Sequence, residues 1–404
     1  MAATPSKQFD LVVFGATGDA GRAIALYLAK HAPSSCRWAI AGRNANKLHR
    51  VMKSLGESPR CKMLLASCDD MNSMTAMARD TRLVLSAAGP YTTLGEPVIL
   101  ACLAGEAHYV DITGELDWVA AMKAKYDTQA RSKGLCICSF CGYDCIPAEL
   151  SVFNAQNKLA ITDSVRSAEC VFSLADGGAP RGTLITILSK AGKPISMMSG
   201  LFQFVPAAER LSTAMSLFLW VLPWWSSQVN SFTIPHFMGW CNAPVVHASY
   251  AAERSSKGEG GLVYYQDRQL LPNSDRWWAG RGLVLVCGVY MLVLALAPVI
   301  FIAVAIPPVR SRLIRKLEQS YSYEGSETSQ VVVYTRVTGR SGARVDGKFV
   351  CPGDAGIHCT ALLAAETALT MIEAKQLPSG LTTPAIAVGE ALTQRLRQCG
   401  VQPF

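Results

Sequence analysis

Residues 9–22 read FDLVVFGATGDAGR, an apolar strand pattern that leads through three glycines into the start of a helix. Each glycine has a distinct use in such a turn. Gly15 permits the tight turn off the strand, Gly18 lets the backbone approach a diphosphate, and Gly21 lets the helix pack closely on the sheet. Phosphates would lie on main-chain N–H groups at the helix start, where the dipole favours negative charge. The stretch therefore predicts a dinucleotide-binding unit.

The second predicted strand favours NADP(H) over NAD(H). Its apolar residues, 38–41, are followed by Arg43 and Asn44. An NAD site usually has an acidic residue near this point, which binds the ribose 2′-hydroxyl. Arg43 offers instead a guanidinium, which suits a 2′-phosphate. A solvated surface charge is the alternative for Arg43.

The N-terminal third of the chain alternates between strand and helix patterns. Strands are predicted at 10–14, 37–41, 62–67, 82–88, 107–111 and 135–140. Helices are predicted near 19–31, 44–54, 71–79, 95–105 and 115–133. This alternation indicates a parallel sheet with helices on both faces. Ligands bind such sheets at the carboxyl ends of the strands.

Candidate site residues lie at the ends of these strands. The residues predicted to hold the cofactor are Gly15, Ala16, Thr17, Gly18, Ala20, Gly21, Arg43, Asn44, Ala88, Gly89, Pro90 and Asp111. A proton donor should lie near the nicotinamide, and Tyr91 and Asp144 are the first candidates. Structural roles stay open: Tyr91 could pack over the cofactor, and Asp111 or Glu115 could cap the helix that begins near 115.

The pattern of the chain changes after residue 147. Residues 1–147 are predicted to form a Rossmann-type α/β domain, a doubly wound parallel sheet, and 148–404 a second α+β domain for substrate binding or dimerisation. Strands are expected near 167–175 and 330–350, and helices near 356–374 and 385–398. The C-terminal helices, within 356–399, are expected to pack back on the globular unit. A homodimer is compatible with this organisation.

Residues 283–306 form an apolar run of 24 residues without a charge. As one helix the run would be about 36 Å long, which is enough to cross the hydrocarbon core of a bilayer. Pro298 lies inside it, and a proline bends a helix. We therefore expect a kinked hairpin or an in-plane element that enters one leaflet of a membrane. A buried core or interface helix is the alternative, and the apolar, aromatic stretch 217–225 would deepen a lipid contact.

Composition limits the classes of function. Charged residues make up 17% of the chain, apolar residues 50%, and the net charge of +8 suits an anionic cofactor or membrane surface. Nucleic-acid binding is not expected, because no run of Lys and Arg has interleaved aromatics. The N-terminus lacks the apolar region of a signal peptide, so we expect no secretory signal. The expected location is the cytosolic face of the endoplasmic reticulum or a lipid droplet.

Four cysteines cluster near the sixth predicted strand. They are Cys136, Cys138, Cys141 and Cys145. No histidine lies near them in the sequence, and their spacing is not that of a zinc ribbon. We interpret them as reduced core residues and expect no metal.

Further motifs extend the pattern over most of the chain. They are Phe14–Gly18 with Gly21–Arg22, Trp38–Arg43, Gly89–Tyr91 with Gly95–Val98, His108–Glu115, Cys141–Asp144 with Ile146–Pro147, and Thr382–Ala385. With them the chain resembles the saccharopine dehydrogenase-like oxidoreductases, a family that includes trans-acting enoyl reductases. The resemblance implies a Rossmann domain, an NADP-type cofactor and oxidoreductase activity. The apolar run is similar to the hydrophobic segment of the lipid-droplet-associated animal members.

Three functions are compatible with these observations. The favoured one is an NAD(P)-dependent oxidoreductase that reduces a lipid-linked double bond or carbonyl at a membrane or lipid-droplet surface. The second is a soluble saccharopine-type reductase of amino-acid metabolism, with a small-molecule substrate. The third is a non-catalytic dinucleotide-binding scaffold on lipid droplets, which stays open because the sequence has no recognisable Ser-Tyr-Lys proton relay.

Overall fold

The chain divides into two compact units, each with a seven-stranded sheet. The computed structural model describes residues 7–56, 61–159, 163–173, 180–191, 203–254, 262–270, 279–321, 323 and 325–404. The first unit comprises Met1–Tyr143 and Gly356–Arg395, and the second comprises Asp144–Ala355 and Leu396–Phe404. This division differs from the predicted one, because the chain passes to the second unit after Tyr143 and most of the C-terminal helical region lies in the first.

The strands and helices of both units are as follows in chain order. The strands are β1 (Phe9–Phe14), β2 (Trp38–Gly42), β3 (Cys61–Leu65), β4 (Thr81–Ser86), β5 (His108–Asp111), β6 (Cys136–Cys138), β7 (Val165–Phe172), β8 (Trp224–Ser226), β9 (Ser231–Pro235), β10 (Tyr264–Leu270), β11 (Gln330–Gly339), β12 (Arg344–Pro352), β13 (Gly380–Thr382) and β14 (Gln402–Pro403). The α-helices are α1 (Asp19–His31), α2 (Ala45–Ser54), α3 (Met71–Arg79), α4 (Tyr91–Gly105), α5 (Leu116–Ser132), α6 (Ile146–Gln156), α7 (Arg181–Ala191), α8 (Arg210–Trp220), α9 (Gly239–Arg254), α10 (Ala279–Ala305), α11 (Pro307–Ser320), α12 (Thr360–Glu373) and α13 (Pro384–Gln398).

The sheet of the first unit is parallel, in the order β13-β6-β5-β4-β1-β2-β3. All six residues of β1 are buried, as expected for a central strand covered on both faces. Helices α1 and α12 pack on each other, whereas α3, α4 and α5 pack in a row. This is the doubly wound arrangement, so the predicted Rossmann-type fold is confirmed.

Helix α12 completes the core of the first unit. Its Glu366 is buried, and it accepts hydrogen bonds from the Tyr27 hydroxyl of α1 (2.7 Å) and from the Arg395 guanidinium. A buried carboxylate needs such partners, because desolvation of an unpaired charge is costly. Among the described residues, one helical stretch, Ala355–Glu373, has the length and mean hydropathy (1.4) of a membrane span. However, 72% of it is buried within the protein, which is typical of a core helix.

The sheet of the second unit is mixed, in the order β14-β12-β11-β7-β10-β9-β8. Strands β7 and β10 are parallel, and the other neighbouring pairs are antiparallel. Helix α6 packs on β11 and β12, and α9 packs on β10 and α8. The predicted second domain of mixed sheet and helices is therefore confirmed.

The apolar run lies almost entirely in α10. This helix continues through position 298, so the hairpin bend expected inside the run is not present there. The break comes at Ile306, whose backbone is extended (φ −70°, ψ 114°), and α11 begins at Pro307. Proline is favoured at the first position of a helix, where its missing N–H would have no partner. The chain therefore bends at the end of the run.

Helix α1 packs on the turn after β1 at very short range. A Cβ atom placed on Gly21 would lie 2.3 Å from the Gly15 carbonyl oxygen and 2.9 Å from Ala16 Cα. Both neighbours are main-chain atoms, which cannot move without displacing β1. A side chain at this position would therefore separate the helix from the strand.

Gly21→Ala is expected to lower the free energy of unfolding by about 1–3 kcal/mol, because the added methyl group overpacks a main-chain contact. Urea unfolding followed by the fluorescence of buried Trp38 measures the change. Gly182→Ala in α7 is the matched control, since nothing lies within 4 Å of a Cβ there, and we expect unchanged or slightly higher stability. Equal stabilities of the two variants would contradict this account of Gly21.

Candidate functional site

The three glycines of the first turn have different surroundings. Gly15 has φ +83°, and a Cβ there would lie 2.8 Å from the Ala88 nitrogen. Gly15 and Gly21 are thus required by the protein's own packing. At Gly18 the nearest atom to an added Cβ is the Gly15 oxygen, at 3.5 Å, so the protein leaves that side open. This open position is where a diphosphate would approach the backbone.

The N-terminus of α1 could bind an anion. Gly18 is its N-cap residue, with extended backbone, and among the described residues no side chain caps this end. The predicted neighbours surround it: Ala16 is buried beneath the turn, while Thr17 and Ala20 are half-buried. Main-chain amides of the first turn and the helix dipole both favour a phosphate here.

Arg43 and Asn44 lie at the carboxyl end of β2 and have different environments. The Asn44 side chain accepts a hydrogen bond from the Lys47 N–H (3.0 Å), so it caps α2. The Arg43 side chain is exposed and makes no hydrogen bond or ion pair to another described residue. Arg43 is therefore available for a ligand, whereas the Asn44 side-chain oxygen already has a partner.

The loop after β4 lies beside the glycine turn. The Ala87 N–H donates to the Phe14 oxygen (2.9 Å), which brings Ala88 against Gly15. Ala88 and Pro90 are half-buried, and Gly89 is exposed. The structure therefore brings the predicted residues of this loop together with the turn after β1.

Tyr91 has a different environment from the predicted one. It is buried against Trp118, and its hydroxyl donates to the Ser86 oxygen (2.8 Å) and lies 3.4 Å from the Ile112 N–H. Burial, reinforced by the nearby Asp111 carboxylate, raises the pKa of Tyr91 well above its usual value. The hydroxyl proton is already donated within the protein. The geometry therefore favours a positioning role for Tyr91 over the predicted proton transfer.

Glu115 caps α4 rather than its own helix. Its carboxylate accepts hydrogen bonds from the main-chain N–H groups of Tyr91 (2.8 Å) and Thr92 (3.1 Å). These are the first residues of α4, whose N–H groups lack partners within the helix. Glu115 thereby fixes the loop that lies beside the glycine turn.

The buried Asp111 carboxylate links the ends of β5 and β6 through hydrogen bonds. It is fully buried and accepts hydrogen bonds from the Thr113 N–H (3.1 Å), the Ser139 hydroxyl (2.9 Å) and the Phe140 N–H (3.2 Å). Burial raises the pKa of Asp111 to about 7, against the opposing effect of these hydrogen bonds. Its carboxylate offers no surface to a ligand, so this structure favours an internal bracing role over the predicted cofactor contact.

Phe140 is a feature that sequence reasoning missed. Its φ of +69° is in the left-handed region, which a bulky residue rarely adopts. Its N–H group is held by the Asp111 carboxylate at 3.2 Å. Such strained backbone is found most often at functional sites. Only the glycine that follows at position 142 hints at an irregular turn in the sequence.

Asp144 is the first residue of the second unit. It is half-buried, and its carboxylate makes no hydrogen bond or ion pair to another described residue. Burial alone raises the pKa of Asp144 to about 6. A carboxyl group with a raised pKa and no compensating partner is typical of functional sites. Of the two predicted proton donors, Asp144 has the environment that suits proton transfer.

The clustered cysteines are core residues, as the sequence suggested. All four of them are buried, and Cys138 Sγ lies 3.4 Å from Cys141 Sγ. Within the described ranges, no group of three or more His, Cys, Asp or Glu side chains could hold a metal ion.

These features are those of a dinucleotide-binding domain, and comparison with known proteins shows which domains it resembles. Residues 11–138 match the family model of the saccharopine dehydrogenase NADP binding domain. Residues 11–138 of this chain are therefore similar to the NADP-binding domain of that family. The predicted resemblance and the predicted NADP-type cofactor are therefore confirmed.

Relatives match over different lengths of the chain. A Mycobacterium tuberculosis protein named as a candidate trans-acting enoyl reductase is 29% identical over 99% of this chain and 98% of its own length. A human saccharopine dehydrogenase-like oxidoreductase is 37% identical over 39% of each chain. A Caenorhabditis elegans protein named lipid droplet localized protein is 35% identical over 36% of each chain.

A solved structure supports the fold of the whole chain. Apo saccharopine dehydrogenase (L-Glu forming) from Saccharomyces cerevisiae superposes with a TM-score of 0.55 at 12% identity. The match covers 97% of this chain and 98% of the yeast enzyme. At this identity the likeness shows a shared fold and carries no conclusion about substrate.

Arg43→Glu is expected to reverse the cofactor preference. Loss of a charge-assisted contact to a 2′-phosphate should weaken NADPH binding by about 1.4–3 kcal/mol, or ten- to a hundredfold in Kd, and leave NADH binding similar or tighter. Titration calorimetry with both dinucleotides measures the change. Arg79→Glu, exposed at the end of α3, is the control with unchanged affinities. A parallel loss of affinity for both dinucleotides in Arg43→Glu would argue against the assignment.

Proposed function

We propose that this protein is an NADP(H)-dependent oxidoreductase that reduces a lipid-linked double bond or carbonyl at a membrane or lipid-droplet surface. The observation that carries the proposal is the glycine turn after β1, with Gly18 open and Arg43 exposed without a protein partner. The match of residues 11–138 to the model of an NADP-binding domain supports the cofactor. The names of the enoyl reductase and lipid droplet relatives support the substrate class and the surface.

The residues of the first unit fit the cofactor. Amides at the start of α1 would hold the diphosphate, and the Arg43 guanidinium would bind the 2′-phosphate. When bound, the nicotinamide supplies the hydride for reduction. The loop Ala88–Pro90, fixed by Glu115 and supported by Tyr91, would form a wall of the site. Asp111 holds the turn after β6, including Phe140, in its strained conformation.

Asp144 is the proposed proton donor. Reduction of a double bond or carbonyl requires a proton as well as a hydride, and a donor works best when its pKa lies near the working pH. Asp144 meets that requirement through burial, which raises its pKa to about 6. In this proposal the protonated carboxyl gives its proton to the developing negative charge on the substrate.

The lipid surface would be met by α10. Its large exposed apolar side chains include Val284, Met291, Leu292, Leu296, Val299 and Ile302. At 100° per residue these six side chains occupy an arc of about 140° around the helix axis, which is one face of the helix. Of the described side chains on the opposite side, Val304 is buried and the Tyr290 hydroxyl donates to the Val221 oxygen. A continuous apolar face that includes Val284 at 71% exposure is typical of a surface made for an apolar partner.

Helix α8 offers a second apolar stripe. Leu211, Met215 and Phe218, spaced four and three residues apart, are exposed, and Phe218 has 69% of its surface accessible. The inward face of α8 carries Thr213 and Ser216 instead, both buried. This is the reverse of the usual order for a surface helix. The stripe and the exposed Trp224 and Trp225 extend the apolar surface at the predicted region 217–225.

Turnover tests the catalytic part of the proposal. Purified protein should oxidise NADPH in the presence of a lipid enoyl or keto substrate, and Asp144→Asn should lower turnover by about 10²–10⁴-fold. In the wild type, turnover should fall as the pH rises through about 6, because the acid form is lost. The residual rate of the variant should not show this decrease. Asp80→Asn, exposed at the end of α3, is the control with unchanged turnover.

Asp144→Asn should raise the free energy of unfolding, although it lowers turnover. The folded-state pKa of about 6 lies above the usual aspartate value of 3.8, so ionisation of Asp144 costs stability as the pH rises through this window. The variant should therefore gain stability relative to the wild type more at pH 8 than at pH 4. Full turnover in the variant would rule out Asp144 as the donor, and full turnover with a soluble amino-acid imine alone would rule out a lipid substrate.

Leu292→Arg is expected to weaken lipid binding, because Leu292 is 58% exposed on the apolar face of α10. A charge at the depth of the hydrocarbon costs about 2.5–3.5 kcal/mol. Flotation with phosphatidylcholine vesicles and with phospholipid-coated triolein emulsions measures the effect. Leu100→Arg, at an exposed position of α4, is the matched control. If Leu292→Arg floats as well as the control does, α10 is not the lipid contact.

A further inference from the structure

Helix α11 follows the apolar helix α10 directly and has a different surface. Its basic residues are Arg310, Arg312, Arg315 and Lys316. None of these four side chains forms an ion pair with a described carboxylate. The protein therefore has a concentrated positive charge at this position that its own described residues do not neutralise.

The exposed face of α11 mixes cations with apolar side chains. Val309 and Leu313 are each 38% exposed, and Arg312 and Lys316 are exposed beside them. At 100° per residue these four fall within about 100° of one another. The acidic residue of the helix, Glu318, falls on the opposite side from Val309.

The other face of α11 holds the helix on the protein. Ile314 and Leu317 are half-buried, and α11 packs on α7 and α10. A surface helix usually keeps its outward face polar, whereas here two aliphatic side chains point outward between cations. Helices of this composition lie in the interface of a membrane, with apolar side chains at the acyl boundary and cations at the headgroups.

The position of α11 in the chain indicates what its exposed face binds. A single residue, Ile306, separates the end of α10 from the start of α11; it forms the bend and is itself exposed. If the apolar face of α10 meets lipid, the bend places α11 where the headgroups of the same leaflet begin. Positive charge at that depth attracts anionic phospholipid headgroups. It gives no comparable attraction to a neutral headgroup.

We infer that the Val309, Arg312, Leu313 and Lys316 face of α11 binds anionic phospholipid headgroups and makes lipid binding selective for anionic surfaces. This inference rests on the proposed lipid contact of α10. In this arrangement α10 provides apolar binding to any phospholipid surface, and α11 adds an electrostatic increment. The increment should fall with salt, because exposed charges are screened.

The double variant Arg312→Glu/Lys316→Glu tests the inference in the full-length protein. Flotation uses vesicles of phosphatidylcholine alone and vesicles with about one third phosphatidylserine. The wild type should bind the anionic vesicles more tightly, and the variant should lose on the order of tenfold or more of that binding. Its binding to phosphatidylcholine vesicles should be unchanged. Arg312→Lys/Lys316→Arg, which keeps the charge, should retain the anionic preference.

A matched control separates the helix face from net charge. Lys30→Glu/Lys53→Glu changes the net charge by the same amount at exposed positions of α1 and α2. This control should keep the anionic preference, and an equal loss in both double variants would overturn the inference. Equal binding of the wild type to both vesicle types would also overturn it, while leaving the α10 contact intact. Absence of binding to either vesicle type would instead remove the proposed lipid surface itself.

Discussion

The close approach of α1 to the turn after β1 is the contact on which the proposed site depends. The helix reaches the Gly15 carbonyl because position 21 has no side chain, and this approach fixes where the first amides of α1 point. A diphosphate site made of main-chain groups has no side chain with which to correct an error in position. Its accuracy therefore comes from the packing of the helix on the strand. In the proposed site Arg43 would add selectivity between dinucleotides, but only once the diphosphate is placed.

The other strand ends support this turn through hydrogen bonds rather than through ligand contacts. Glu115 fixes the start of α4, and the Tyr91 hydroxyl links the ends of β4 and β5. Asp111 performs the same task between β5 and β6. Burial raises the pKa values of both Tyr91 and Asp111. At this edge of the sheet a raised pKa accompanies bracing contacts in Asp111 and Tyr91, whereas Asp144, in the second unit, has a raised pKa without such contacts.

Local patterns in the sequence predicted the first sheet well, because strand and helix periods, glycines and apolar runs act over short distances. The glycine turn and the order of elements up to β6 were predicted in this way. Contacts distant in the sequence were not: α4 begins at Tyr91 rather than near residue 95 because Glu115 caps it. The left-handed Phe140 is held by an aspartate from another strand, against its own conformational preference. Helix α12 packs in the first unit, where its Glu366 contacts Tyr27 and Arg395, and no local pattern encodes these contacts.

The second unit presents large apolar side chains on two helices and unpaired cations on a third. Such surfaces are unfavourable in water, and the proposed lipid contact would cover them. Cofactor binding, in contrast, is assigned to the first unit. A crystal structure of the protein with NADPH tests that central claim most directly. We expect the diphosphate on the amides at Gly18 and the start of α1, with the 2′-phosphate on Arg43. A dinucleotide bound elsewhere, or no bound dinucleotide at saturating concentration, would contradict it.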